Sequence, residues 1–269
     1  MASVTWLIET GVFPESSRGV VAALQARGTG WVRYRDGIPD SELPEPGVCV
    51  LFWGSLGAAY GERVAARWVP GAVGDAAQFR YSVYAPRLRE RLINHAVVYA
   101  RVCDLVERTD ETLAPLGNPR RFFVRPDSPL KPFAGRVIET ATVTRAALDH
   151  GFYYDDDTLA IVVARARAVG REWRCVVGDG RLIAVCEYGA DRRQRDGEAP
   201  SAVLELASDV AQLEWQPAPI YCVDIAEVDG SLGVLELNPF SGADLYGCAP
   251  EPVVDAAGRI AQRLHAQAQ

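Results

Sequence analysis

The chain has 269 residues, 49% of them hydrophobic, and a formal net charge of −7. This balance argues against a general nucleic-acid or anionic-membrane surface, and no apolar run reaches the roughly 18 residues that a membrane helix needs. Six scattered cysteines without a C-x-x-C pair and only three histidines argue against a zinc site, a disulfide framework and a Ser-His-Asp triad. We therefore expect a globular, cytoplasmic protein with free thiols and no membrane partner.

The first part of the chain alternates strand and helix patterns. Apolar runs at 4–9 and 47–55 predict buried strands, and each is followed by a segment with helical spacing. The first helix is expected at 17–28, where Gly28 would end it. This order predicts a small α/β lobe over residues 1–95.

Strand patterns predominate between residues 120 and 240, with helical spacing at 200–213 and in the last stretch of the chain. The predicted strands in this part lie at 121–125, 136–140, 159–166, 171–177, 181–188, 221–228 and 232–237. We therefore predict an α+β fold over residues 96–269, after the α/β lobe.

The last two of these strands flank the sequence Asp229-Gly230-Ser231, which predicts a hairpin with a three-residue turn. That turn would place Asp224 opposite Glu236, with Asn238 pointing to the same side. Two facing carboxylates are unfavourable unless a cation lies between them, and a hard divalent cation with oxygen ligands would suit. The alternative is an exposed hairpin face on which the acidic residues are solvated.

Two further segments carry charges of the kind that bind nucleotides. The loop RPDSPLKPFAG has Arg125 at the end of a strand and Lys131 in its middle, so it could cover phosphates, or it could be an ordinary hairpin loop. In REWRCVV, Glu172 and Arg174 share one strand face and could contact a ribose hydroxyl and a phosphate, or form a surface ion pair. Neither a Walker A nor a dinucleotide-binding glycine motif is present.

In combination, these segments resemble the ATP-grasp superfamily, and most closely its arginine-for-lysine (R-to-K) clade. The similarity rests on the order of FVRPDSPLKPFAG, LAIVVARA, REWRCVV, YCVDIAEV and VLELNPF, with VLFWGSLGAA and QFRYSVYAP before them. It implies an ATP-grasp fold, in which two α+β lobes surround ATP, preceded by the α/β lobe. The lid lobe would span about 120–165 and the metal-binding lobe about 166–269.

The resemblance also implies a role for individual residues, with ATP and Mg²⁺ as cofactors. Arg125 and Lys131 would contact phosphates, the backbone around Val163 would face the adenine, and Glu172 and Arg174 would contact the nucleotide. Asp224, Glu236 and Asn238 match the metal ligands, and Arg174 and Arg193 would act on the intermediate.

For function, the resemblance implies an ATP-dependent carboxylate–amine ligase that forms an amide or peptide bond through an acyl-phosphate. Its substrate would be a small molecule, an amino acid or a peptide. Two alternatives remain: an ATP-grasp kinase that phosphorylates a hydroxyl, and a nucleotide-binding regulator without turnover. The kinase would need no amine, and the regulator would bind ATP without releasing phosphate. The sequence makes no prediction of oligomeric state.

Overall fold

A computed structural model describes residues 3–148, 156–189, 194–195 and 197–269. The strands are β1 (Thr5–Ile8), β2 (Trp31–Arg33), β3 (Cys49–Trp53), β4 (Val69–Gly71), β5 (Val97–Arg101), β6 (Arg121–Pro126), β7 (Arg136–Glu139), β8 (Ala160–Arg165), β9 (Val169–Gly178), β10 (Arg181–Tyr188), β11 (Gln194–Arg195), β12 (Ile220–Val228) and β13 (Ser231–Pro239). The helices are α1 (Pro14–Ala26), α2 (Leu56–Ala59), α3 (Glu62–Ala65), α4 (Tyr81–Leu88), α5 (Val102–Glu107), α6 (Thr109–Leu113), α7 (Ser201–Ala211) and α8 (Pro250–Gln267). Among the described residues, no helix has the length and apolar character needed to cross a membrane.

The amino-terminal lobe is a parallel four-stranded sheet in the order β2-β1-β3-β4, as expected for an α/β lobe. Every residue of β3 is buried, which is typical of a parallel strand covered on both faces. Helix α1 begins at Pro14 rather than at residue 17, because proline fits the first turn of a helix. Helix α8 packs against α1, β3 and β4, so the two ends of the chain share one hydrophobic core.

A second sheet, the lid sheet, is antiparallel with the order β5-β8-β6-β7. It has its own core, which includes Phe122, Val124 and Ile161. The range predicted for the lid lobe, 120–165, omits β5, whose half-exposed residues form no buried apolar run. The division of the chain near residue 95 remains a prediction.

The third and central sheet is antiparallel, with the order β11-β10-β9-β12-β13. Trp173, Cys175 and Val177 of β9 point into a core shared with α7, as their alternation predicts. Residues 172 and 174 therefore point to the opposite face, because successive side chains of a strand alternate. The sheet thus presents one apolar face to α7 and charged side chains to the other side.

The hairpin of β12 and β13 reaches its predicted register by a different route. Its turn has two residues, Asp229 and Gly230, both with positive φ (51° and 78°), and Val228 pairs with Ser231. A β-bulge then leaves Leu235 without a partner and restores the pairing of Asp224 with Glu236. The three-residue turn was therefore wrong, and Leu235 lines a cleft instead of joining the main core.

Candidate active site

A cleft of about 710 Å³ lies between the lid sheet, the central sheet and the amino-terminal lobe. Seven of the residues singled out from the sequence line it, from three separate parts of the chain. They are Arg125, Lys131, Glu172, Arg174, Asp224, Glu236 and Asn238. The fold thus brings the cations of the lid side and the acidic hairpin to one cleft.

Three charged residues form a row across the central sheet. Arg174 of β9 pairs with Asp224 of β12, and Asp224 pairs with Glu236 of β13. Side chains at paired positions lie on the same face of a sheet, so all three point into the cleft. The row alternates in charge only in part, because its two carboxylates are direct neighbours.

Arg174 and Asp224 form a buried ion pair on the central sheet. Arg174 donates from Nε to Oδ1 and from Nη2 to Oδ2 of Asp224, each at 2.7 Å, and the two side chains are 5% and 2% exposed. Burial opposes the charge on Arg174, but the attraction of Asp224 outweighs it and holds the pKa of Arg174 well above its usual value. Arg174 also donates to the main-chain oxygen of Asp244. Its guanidinium is therefore a fixed cation.

Glu236 is held by two cations that come from the lid side of the cleft. Arg125 Nη1 lies 2.9 Å from Oε2, and Lys131 Nζ lies 2.7 Å from Oε1. Burial would raise the pKa of Glu236, but Lys131 and Arg125 outweigh burial and lower it. The Asn238 amide donates to both Asp224 (3.0 Å) and Glu236 (3.1 Å), so it bridges the two like-charged carboxylates.

The lid loop, residues 127–135, is fixed at its base and exposed at its middle. Asp127 accepts hydrogen bonds from the backbone N–H and the hydroxyl of Ser82 in α4, both at 2.7 Å. Lys131 has a positive φ of 47° and a side chain that is 39% exposed. Leu130 beside it is 54% exposed. The loop therefore presents Lys131 to the cleft from a short exposed stretch between buried Pro129 and Phe133.

The position of the Lys131 ammonium indicates whether a divalent cation could bind beside Glu236 and Asn238. Its ammonium lies between Glu236 Oε1 (2.7 Å) and Asn238 Oδ1 (3.1 Å), which are hard oxygen donors. In the described part of the chain, no group of three or more acidic, cysteine or histidine side chains could hold a metal ion. The donors therefore fit a cation that takes its remaining ligands from elsewhere, as Mg²⁺ does from substrate phosphates and water. Asp224 would ligate only by giving up a bond to Arg174 or Asn238.

Glu172 has a different environment from Glu236. Its Oε2 accepts a hydrogen bond from the Tyr188 hydroxyl at 2.9 Å. Burial raises the pKa of Glu172, and the bond from Tyr188 opposes this only in part. The Tyr188 ring stacks on Tyr246, with 4.5 Å between ring centres. Glu172 is thus a carboxylate in the cleft, and the hydroxyl of Tyr188, whose ring stacks on Tyr246, holds one of its oxygens in place.

Two predicted site residues have other outcomes. Val163 is fully buried in the core of the lid sheet, and β8 is paired with β5 on one edge and β6 on the other. Val163 is not among the residues that line the cleft, and its assignment to the adenine stays a prediction. Arg167 and Val169, just after β8, line the cleft instead. Arg193 lies outside the described residues.

The sequence reasoning missed several residues that line the cleft. Tyr81 lies against Arg125, with 5.7 Å from its ring centre to the guanidinium carbon, and Tyr246 lies 4.6 Å from that of Arg174. Asp244 and Tyr188 also line the cleft. Asp244 and Tyr246 lie in VLELNPFSGADLY, shortly after Glu236 and Asn238. This closeness along the chain was the signal that could have identified them.

Comparison with known protein families assigns the chain to one of them. Residues 57–257 match the family model of the ATP-grasp domain, arginine-for-lysine (R-to-K) clade family 3. The chain belongs to this family, which confirms both the resemblance and the fold class predicted from the sequence. No curated protein matches the chain in sequence.

Solved structures with the same fold cover almost the whole chain. The D-cycloserine synthetase DcsG superposes with a TM-score of 0.64 at 17% identity, covering 99% of this chain and 100% of its own. The D-alanine–D-alanine ligase from Bacillus anthracis complexed with ATP gives 0.65 at 15% identity, with 100% of both chains covered. The ATP-grasp ligase PsnB complexed with its minimal precursor gives 0.57 at 16%, with 99% of both chains covered. At these identities the likeness establishes the fold.

Proposed function

We propose that the chain is an ATP-dependent carboxylate–amine ligase that forms an amide or peptide bond through an acyl-phosphate. The observation that carries the proposal is the Lys131 ammonium held between Glu236 and Asn238, beside Arg125, in a cleft of about 710 Å³. Cations from the lid and oxygen donors from the central sheet meet at one point. That arrangement suits the phosphates and the cation of Mg·ATP.

The nucleotide would occupy the cleft with its phosphates toward the lid loop. Arg125 and Lys131 would bind phosphate oxygens, and Glu172 would accept a hydrogen bond from a ribose hydroxyl. The backbone at 166–168, which joins the lid sheet to the central sheet, is the segment we propose beside the adenine. Glu236 and Asn238 would hold Mg²⁺ once Lys131 moves to the phosphates, with Asp224 orienting Arg174. Bound there, Mg²⁺ would neutralise phosphate charge.

The proposed reaction has two steps. A substrate carboxylate oxygen attacks the γ-phosphorus, the bond to the ADP oxygen breaks, and an acyl-phosphate forms. An amine nitrogen then attacks the acyl carbon, and phosphate leaves with the electron pair of the broken C–O bond. Arg174 would stabilise the oxygens that gain charge, because its guanidinium is held in place before the reaction. Arg193 is proposed as a second contact to the intermediate.

The fold neighbours support the substrate class that we propose. One is a D-alanine–D-alanine ligase, one a D-cycloserine synthetase, and PsnB was solved with a precursor peptide. We propose an amino acid, a peptide or a related small molecule as the substrate, in the cytoplasm. The rigid Arg174–Asp224 pair argues for retained catalysis over a regulator that only binds nucleotide, since such a buried pair is costly to maintain without a role.

The proposal is tested by supplying ATP, Mg²⁺ and a panel of free amino acids and dipeptides, and measuring ADP, phosphate and product mass. We expect ADP and phosphate in equal amounts, together with a product joined by an amide bond. Added hydroxylamine should trap the acyl-phosphate as a hydroxamate. A phosphorylated product that forms without an amine would establish the kinase instead. Nucleotide binding without ADP release across the panel would establish the regulator.

A further inference from the structure

One carboxylate in the cleft, Asp244, has no role in the reaction described above. It follows the short turn after β13 and lines the side of the cleft next to the amino-terminal lobe. Its Oδ1 accepts hydrogen bonds from the Ser16 hydroxyl and from the backbone N–H of Tyr246, the latter at 3.1 Å. None of the described residues donates a hydrogen bond to its Oδ2. Asp244 is thus fixed through one oxygen and open at the other.

The two carboxylates of the row across the central sheet differ from Asp244, because both of their oxygens are bound by cationic side chains. Asp224 uses both oxygens on Arg174, and Glu236 uses both on Arg125 and Lys131. Their charge is therefore neutralised inside the protein. Within the described ranges, the hydrogen bonds to the Asp244 carboxylate come from a hydroxyl and an amide, which are both uncharged, so it can attract a cation from a substrate.

Asp244 is also adjacent to the place where the acyl group would be activated. Arg174 donates to its main-chain oxygen, so the two residues are in direct contact. Val12, Phe13 and the ring of Tyr246 line the same side of the cleft and are apolar. A ligand seated here would meet one carboxylate oxygen among apolar walls, next to the cation proposed to hold the acyl-phosphate.

We propose that Asp244 binds the ammonium group of the acceptor, a primary amine attached to an apolar group, such as an apolar amino acid or the first residue of a peptide. The inference rests on the ligase function proposed above and names the site of its second substrate. Before attack, the ammonium would give one proton to Asp244 Oδ2, which leaves a neutral amine with its lone pair free. As the C–N bond forms and the C–O bond breaks, the nitrogen loses its second proton to the departing phosphate, which leaves as hydrogen phosphate, and Asp244 releases the first proton to solvent.

The test uses a matched pair of probes that cannot serve as the carboxylate substrate. Leucinamide carries the ammonium group and an apolar side chain, and 4-methylpentanamide has the same framework without the amine. NMR titration in the presence of Mg²⁺ and AMPPNP measures both affinities at neutral pH. We compare the wild type with Asp244→Asn, and with Ser16→Ala, which removes a hydrogen bond to Asp244 but keeps its charge.

We expect the wild type to prefer leucinamide by about tenfold, as is typical of a hydrogen bond to a charged group. Asp244→Asn should remove the preference, and Ser16→Ala should retain it. Equal affinities in the wild type, an unchanged preference in Asp244→Asn, or equal loss in both variants would overturn the assignment. AMPPNP binding is read separately from the melting temperature, so failure of the nucleotide site is distinguished from failure of the amine site.

Discussion

The central sheet and the lid loop both present a cation to the same acidic hairpin, but they hold it differently. Arg174 extends from the middle of a paired strand, makes two hydrogen bonds to Asp224, and is 5% exposed. Lys131 extends from the exposed middle of the loop 127–135, makes one bond to Glu236, and is 39% exposed. One ion pair is therefore part of the folded core, and the other can exchange partners.

This difference bears on what each carboxylate does. Breaking the Arg174–Asp224 pair would leave a buried charge without a partner, so that pair stays intact. Releasing Lys131 from Glu236 exposes two oxygen donors and frees a cation for phosphates. We therefore propose that the same hairpin combines a permanent support with a replaceable counter-ion. Four predictions test this contrast, from the largest expected effect to the smallest.

The largest effect is expected from Glu236→Gln. The variant removes the charge on which the lid cations and the proposed Mg²⁺ converge, so ADP formation should fall by about 100-fold or more. The control is Glu205→Gln on the exposed face of α7, which should leave the rate unchanged. Circular dichroism would verify that both variants fold. Wild-type turnover in Glu236→Gln would exclude the metal assignment.

The second prediction concerns stability. Asp224→Asn leaves Arg174 buried without its carboxylate and should lower the free energy of unfolding by about 3–5 kcal/mol. The matched control, Asp179→Asn, removes an equally bidentate but exposed partner of Arg263. It should cost no more than about 1 kcal/mol. Urea unfolding of both variants measures the contrast, and equal losses would show that Arg174 is not a fixed support.

The third prediction concerns the replaceable cation. Without nucleotide, Lys131 competes with a divalent cation for Glu236 and Asn238, so Lys131→Met should bind Mn²⁺ about tenfold more tightly than the wild type. Electron paramagnetic resonance of free Mn²⁺ measures this without turnover. Lys131→Arg keeps the charge and should resemble the wild type. Weaker Mn²⁺ binding in Lys131→Met would argue against a shared position.

The smallest effect is expected for Glu172→Gln, in the pH dependence of its melting temperature. The pKa of Glu172 is raised in the folded state by burial, so its ionisation costs stability as the pH rises from about 4 through the raised pKa. Glu172→Gln should therefore melt slightly higher than the wild type at pH 8 and equally at pH 4. Glu236, whose pKa is lowered, contributes in the opposite sense and loses its contribution as the pH falls. A Glu172→Gln variant that melts lower at pH 8 would contradict the assigned direction.

Much of the site could be predicted because strand alternation is local. It placed Arg174, Asp224, Glu236 and Asn238 correctly on strand faces, and the family resemblance supplied the fold. The ion pair of Arg174 with Asp224 could not be predicted, because it depends on β9 lying beside β12, a pairing between segments about fifty residues apart in sequence.

The features that could not be predicted have the same physical origin. The apolar sequence around Val163 does not reveal that neighbouring strands pair with both edges of β8, so its burial away from the cleft lining could not be predicted. The turn of the hairpin was predicted one residue too long, because the bulge at Leu235 compensates for the shorter turn. Asp244 went unnoticed because its partner, Ser16, lies 228 residues away in sequence.

The central claim is that Glu236 and Asn238 hold the Mg²⁺ of a nucleotide that displaces Lys131. Isothermal titration of AMPPNP into the wild type and Glu236→Gln, each with and without Mg²⁺, tests it most directly. Mg²⁺ should raise the affinity of the wild type for AMPPNP by about tenfold or more and have little effect on the variant. Equal dependence on Mg²⁺ in both proteins would contradict the account.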